Sequence, residues 1–121
     1  MIYSSKIVKG YGRGRKIGFP TLNLVVPRPF VEKHGAYAVR VLIGDKEYAG
    51  ALHFGPTPTF SDNSPTLEIF VLDYNADEPI EKIKFEILDY LRPIRRFANA
   101  EDLTAQITKD IAKIREIYHS D

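Results

Sequence analysis

The 121-residue chain contains no cysteine. Disulfides and thiolate metal sites are therefore excluded, and any metal has to be held by oxygen or histidine, which favours a hard ion such as Mg²⁺. Long apolar runs are also missing: nothing approaches the length of a membrane span, and the opening MIYSSKIVKG lacks the apolar core of a secretory signal. These absences make the cytoplasm the expected location, with no membrane partner. Charge of one sign is not in excess either. Seventeen basic and sixteen acidic residues leave a net charge of +1, which argues against a surface built as a whole to attract nucleic acid. There is no internal repeat and no low-complexity tail, so one domain over residues 1–121 is expected. His34, His53 and His119 do not form a metal-ligand spacing, and each reads as an exposed or structural residue. No Ser-His-Asp arrangement is legible.

What the chain does have is local charge and a β-rich pattern. Lys9, Arg13, Arg15 and Lys16 crowd one glycine-rich stretch, and Arg92, Arg95 and Arg96 crowd another, which fits local anion sites better than a global field. A first strand is expected over Ile2–Val8. Glycines at 10, 12, 14 and 18 with Pro20 then exclude regular structure until the Leu22–Val26 run. Tyr37, Val39, Val41 and Ile43 alternate with Ala38, Arg40 and Leu42 as in a half-buried strand, Gly44-Asp45 marks a turn, and Glu47–Phe54 reads as the hairpin partner. Leu67–Asp73 is a further strand, apolar on both faces except at Glu68. Lys82–Leu91 is the cleanest amphipathic strand. From Asn99 the period becomes helical, with Leu103, Ile107, Ile111, Ile114 and Tyr118 on one stripe, Asn99 as N-cap and Glu101 and Asp102 in the first turn. The expectation is a mainly β fold: a small antiparallel, Greek-key-like, six-stranded barrel, closed or nearly so, whose open side is covered by one C-terminal amphipathic helix.

Two segments could carry chemistry. In Gly10-Tyr11-Gly12-Arg13-Gly14-Arg15-Lys16, glycines let backbone N–H groups approach an anion and the neighbours add positive charge. Spacing alone leaves open a phosphate nest or a hairpin loop with incidental arginines. It is neither a Walker A motif nor a Rossmann fingerprint, because Pro20 and a β-like run follow. In Pro20-Thr21-Leu22-Asn23, alternation puts the Thr21 hydroxyl and the Asn23 carboxamide on one side. Two neutral oxygens suffice for a Mg²⁺ ion that is otherwise held by phosphates and water, while taken alone the pair also reads as a polar strand edge.

The stretch resembles the signature of the riboflavin kinase family, a G-x-G-R-G loop running into G-[FI]-P-T-A-N, with Leu22 in place of the usual alanine. The resemblance continues in order along the chain. Gly35-Ala36-Tyr37 is similar to that family's HG-x-Y strand start, and Gly50 to Phe60 to its G-x-x-x-x-G-x-x-P-T-F segment. Leu67-Glu68-Ile69-Phe70 resembles the strand bearing its glutamate, Leu91-Arg92-Pro93 with Phe97 its L-R-x-x-x-x-F, and Leu103, Ile107 and Asp110 its closing helix. The resemblance implies transfer of the γ-phosphate of Mg·ATP to the ribityl 5′-hydroxyl of riboflavin, giving FMN and ADP. It implies Glu68 as general base, and Gly10, Gly12, Arg13, Gly14, Arg15, Lys16, Thr21, Asn23, Val71 and Asp73 around the nucleotide. Thr21 and Asn23 would also engage Mg²⁺, and Arg92, Arg95 and Phe97 would line the flavin.

The residues themselves leave Glu68 two readings, a base whose pKa is raised by its apolar neighbours or a surface acid at a strand end. The chain departs from the family where D-[LF]-Y-G is usual and Asp73-Tyr74-Asn75-Ala76-Asp77-Glu78-Pro79-Ile80 stands instead. That departure motivates one alternative, a flavin- or nucleotide-binding module with weak catalysis. A small nucleic-acid-binding barrel is another. Fusion to an FMN adenylyltransferase domain in a longer parent chain is compatible with the resemblance.

Overall fold

Alternation of apolar residues closes the sheet on itself. The computed structural model describes residues 2–8, 21–56, 65–74 and 80–120. Its strands are β1 (Ile2–Val8), β2 (Leu22–Leu24), β3 (Gly35–Ile43), β4 (Lys46–Pro56), β5 (Pro65–Val71) and β6 (Lys82–Arg92), followed by helix α1 (Ala100–Ser120). They form a closed barrel in the order β1-β2-β5-β4-β3-β6, every pairing antiparallel.

Every second side chain enters the barrel. Tyr3, Leu24, Val39, Val41, Leu52, Phe54, Leu67, Ile69, Ile83 and Phe85 form one buried cluster. Truncating the fully buried Phe85 to alanine would cost about 3–5 kcal/mol, the usual loss for an aromatic removed from a packed core. The segment between β2 and β3 adds Phe30, whose ring lies 4.7 Å from both Tyr3 and Phe54. Two interior phenols tie this segment down. Tyr3 donates to Glu32 at 2.6 Å and Tyr37 to the Lys33 carbonyl at 2.5 Å.

The expected hairpin is present. Gly44, at φ 62°, occupies the first central position of a two-residue turn between Ile43 and Lys46, a position where glycine avoids the left-handed penalty. β3 is more buried than a half-buried strand because its outer face is also covered: Ala38 is buried along with Val39. The helix provides that cover. It lies on the outer wall of an already closed barrel rather than across an open side. Ala38, Ala49 and Ala51 form a shallow outer surface against which Ile111, Ile114 and Ile117 pack, with Leu72 and Leu88 beside them. Ile114 is fully buried. Asn99 caps α1, its side-chain oxygen accepting the Asp102 N–H at 2.8 Å.

Candidate functional site

A single rung of the outer wall runs through most of the residues singled out above. Val8 of β1 is opposite Asn23 of β2, Asn23 is opposite Glu68 of β5, and Glu68 is opposite His53 of β4. His53 is opposite Ala36 of β3, which is opposite Arg92 of β6. Directly opposite residues have Cβ atoms about 4.5–5.5 Å apart, so Glu68 is flanked by a carboxamide and an imidazole. Arg92 lies three strands further round, about 14 Å away at ordinary strand spacing. Asn23, Glu68 and His53 are all half-buried.

Thr21 immediately precedes β2, two residues from Asn23, while Leu22 between them packs against the barrel interior. The Leu22 side chain therefore points away from both, as alternation predicts. The Thr21 hydroxyl oxygen is buried and has no hydrogen-bond partner among the described residues. A buried hydroxyl left in this condition costs about 1–3 kcal/mol, so a ligand able to bind it would relieve a strain on the folded state. Among the described residues no group of three His, Cys, Asp or Glu side chains could cage a metal. A cation here would depend on neutral oxygens supplied by Thr21 and Asn23, a donor set suited to a hard ion that keeps phosphate and water ligands.

Arg92, Arg95 and Phe97 come together at the end of β6. The guanidiniums of Arg92 and Arg95 lie 5.9 and 5.2 Å from the Phe97 ring centroid, close enough for cation–π attraction. Helix α1 fixes both arginines. Asp110 accepts from Arg92 at 2.8 Å, Gln106 donates to Asp110 at 2.9 Å, and Arg95 donates to the Gln106 side-chain oxygen at 3.2 Å. An aromatic face edged by guanidiniums suits a planar heteroaromatic ring with carbonyl oxygens. Gly35 shapes the approach to this corner. A Cβ there would lie 2.5 Å from the Tyr90 ring and 2.8 Å from the Arg92 carbonyl oxygen.

Other expected site residues are placed differently. Val71 faces the barrel interior with Leu67 and Ile69, leaving only its main chain for a nucleotide. Asp73 leaves β5 at φ 59°, and its exposed carboxylate is gripped by Arg115 at 2.8 and 3.2 Å. The guanidinium holds the Asp73 carboxyl below its ordinary range, chiefly through these hydrogen bonds. Gly10, Gly12, Arg13, Gly14, Arg15 and Lys16 lie outside the described residues, as do residues 75–79 of the altered turn. Sequence reasoning missed His53 as a neighbour of Glu68, and it missed Gln106 and Arg115 as anchors. The pairings depend on strand register and helix docking, for which the sequence carried no local signal.

The family model for riboflavin kinase (flavokinase) matches residues 1–118. An RNA-binding riboflavin kinase of Bacillus subtilis is 40% identical over 118 residues, covering 97% of this chain and 51% of that protein. A bifunctional riboflavin kinase/FMN adenylyltransferase of Escherichia coli K12 is 35% identical over 116 residues, covering 95% of this chain and 37% of its own length. The chain thus spans about half or less of these curated relatives. Among solved structures, a macrolide-efflux protein from Streptococcus pneumoniae matches with a TM-score of 0.84 at 29% identity, over 94% of this chain and 38% of the other. Riboflavin kinase from Trypanosoma brucei shares the fold, with a TM-score of 0.66 at 19% identity over 98% of this chain and 79% of that one. No helix among the described residues is long and apolar enough to cross a membrane.

Proposed function

This chain belongs to the riboflavin kinase family, and on that premise we propose that it transfers the γ-phosphate of Mg·ATP to the ribityl 5′-hydroxyl of riboflavin, giving FMN and ADP. The observation that carries the mechanism is the outer rung, on which Asn23 and Glu68 are cross-strand neighbours with Thr21 two residues from Asn23.

Glu68 is the general base. Its carboxylate accepts the proton of the 5′-hydroxyl as the hydroxyl oxygen forms a bond to the γ-phosphorus, and the bond from that phosphorus to the β–γ bridging oxygen breaks to release ADP. Cross-strand pairing on both sides fixes the backbone and Cβ from which the Glu68 carboxylate reaches out. Thr21 and Asn23 hold the cation and the terminal phosphates with their side-chain oxygens, and Mg²⁺, when bound, neutralises charge on the β- and γ-phosphates. The Gly10–Lys16 segment supplies backbone N–H groups and cationic side chains to the ADP phosphates. Arg92, Arg95 and Phe97 receive the isoalloxazine ring, with Phe97 stacking and the arginines donating to ring carbonyls. An FMN adenylyltransferase domain is the fitting neighbour in a longer parent chain, because FMN, the product here, is the compound that such a domain adenylylates.

Incubating the protein with riboflavin and Mg·ATP tests this reading, with FMN separated by chromatography. FMN should accumulate, chelation of Mg²⁺ should stop it, and Glu68→Gln should lower kcat about 10²-fold or more. Absence of FMN, or an unchanged rate in Glu68→Gln, would remove the assigned mechanism.

A further inference from the structure

His53 is set against Glu68 by the fold. β4 turns Leu52 and Phe54 inward, where both are buried, so His53 between them projects from the outer wall. Its partner across the β4–β5 pair is Glu68. Its partner across β3–β4 is Ala36, which offers only a methyl group. The next residue on the rung is Arg92, whose guanidinium is already held by Asp110 of α1. Ala51 and Gly55, the outward-facing positions before and after His53 on its own strand, carry no titratable group. Diagonally on β5, Thr66 is directed to the Gly55 carbonyl, and His34, just before β3, sits beside Gly55 with its ring 5.0 Å from that of Phe54. Glu68 is thus the ionisable side chain set directly against His53 on this rung.

Building on the kinase reading, we propose that His53 is a positioning residue for Glu68. The neutral imidazole donates one N–H to a carboxylate oxygen of Glu68, which fixes the carboxylate rotamer and leaves the other oxygen directed at the substrate hydroxyl. Asn23 borders the same carboxylate from the opposite strand, so the base is held from both sides. His53 does not touch the reacting atoms. Its effect depends on its charge. The neutral ring orients a competent base, whereas the protonated ring converts Glu68 into half of an ion pair and lowers its basicity. Turnover therefore falls on the acid side as the imidazole takes up its proton.

Two measurements test the proposal, and one does not require turnover. In the unaltered protein, NMR titration of the His53 ring should show a pKa that drops by about half a unit or more in Glu68→Gln, because a facing carboxylate stabilises the imidazolium. An unmoved His53 titration overturns the pairing. In steady-state kinetics, His53→Ala should lower kcat about tenfold with the KM values for riboflavin and ATP changed less than twofold. His53→Gln, which retains an N–H donor, should recover most of that loss, and the acid limb of its kcat profile should move to lower pH. Equal rates in the Ala and Gln variants with an unshifted acid limb overturn the role. If the unaltered protein forms no FMN, the kinase reading and the catalytic part of this role fail together. A normal wild-type rate with an indifferent His53→Ala removes only the role of His53.

Discussion

Arg92 is tied to Asp110 through Nη2 at 2.8 Å and Nε at 3.1 Å, both directed at the same carboxylate oxygen. The pair joins the end of β6 to the middle of α1 and sets the Phe97 corner beside it. The two side chains are 18% and 12% exposed, which places the pair between surface ion pairs, worth about 0–1 kcal/mol, and buried ones, whose breaking costs about 3–5 kcal/mol. Asp110→Ala should therefore lower unfolding stability by about 2 kcal/mol, read from the urea midpoint. It should also raise KM for riboflavin more than KM for ATP, because Arg92 loses its anchor. An unchanged midpoint would show that the pair contributes nothing to holding the helix.

Gly35 makes the same corner sensitive to a single methyl group. At φ 155° and with a Cβ position 2.5 Å from the Tyr90 ring and 2.8 Å from the Arg92 carbonyl, alanine cannot be accommodated without moving backbone. Overpacking of this kind costs about 1–3 kcal/mol, and the unfavourable φ adds about 1–2. Gly35→Ala should unfold at a clearly lower urea concentration than the unaltered chain. Gly44→Ala, which has open space around its Cβ position, should lose only its turn preference of about 1 kcal/mol. Equal losses in the two would sink the steric argument.

Thr21 separates a functional hydroxyl from a structural one. Its Oγ1 is buried without a partner among the described residues, so removing it should take away a desolvation cost rather than a hydrogen bond. Thr21→Val should leave ligand-free stability unchanged or raise it by about 1 kcal/mol. The same change should reduce kcat/KM for Mg·ATP about hundredfold, comparable with loss of one charge-stabilising donor or ligand. Thermal unfolding of the ligand-free protein and initial rates over a Mg²⁺ series provide the two readings. A destabilised variant with full activity would contradict both halves of the expectation.

How far the sequence revealed the fold depended on how local each signal was. The alternation in Tyr37–Ile43 and Lys82–Leu91, the Gly44-Asp45 turn and the Asn99 cap are encoded in neighbouring residues, and each appears in the structure. The resting place of the helix did not follow from its stripe, because that stripe says only that one face is buried. It is the small outward residues Ala38, Ala49 and Ala51, on two different strands, that let α1 lie against the wall. The candidate site shows the same division. Thr21 and Asn23 share a side by simple alternation, but the rung linking Asn23 to Glu68, His53 and Arg92 exists only once five strands have paired in register. Asp73 lies at the same boundary: the sequence pattern carries the strand to Asp73, whereas β5 ends at Val71, and the ion pair of Asp73 with Arg115 depends on the helix docking.

Tyr118 gives the helix contact a dependence on alkaline pH. Its hydroxyl donates to Glu47 at 2.6 Å, while the Arg40 guanidinium, also paired with Glu47 at 3.3 Å, lies 5.8 Å from the ring centroid. Burial, followed by the hydrogen bond and the charge of Glu47, pushes the phenol from its ordinary value of 10.0 up to about 12, against a smaller opposing effect of Arg40. The folded state therefore holds this proton more tightly than the unfolded chain does. Its contribution to stability is complete below pH 10 and is lost as pH rises towards about 12. Tyr3 and Tyr37 shift in the same direction, mainly through burial, so they too weaken the fold as they ionise. Urea midpoints measured between pH 9 and pH 11 should fall in the unaltered chain and fall less steeply in Tyr118→Phe, which has no proton to lose. Lysine titration is common to both proteins and cancels in the comparison. Parallel slopes would mean that the Tyr118 hydroxyl titrates alike in the folded and unfolded states, and the hydrogen bond to Glu47 would then have no part in holding α1 to β4.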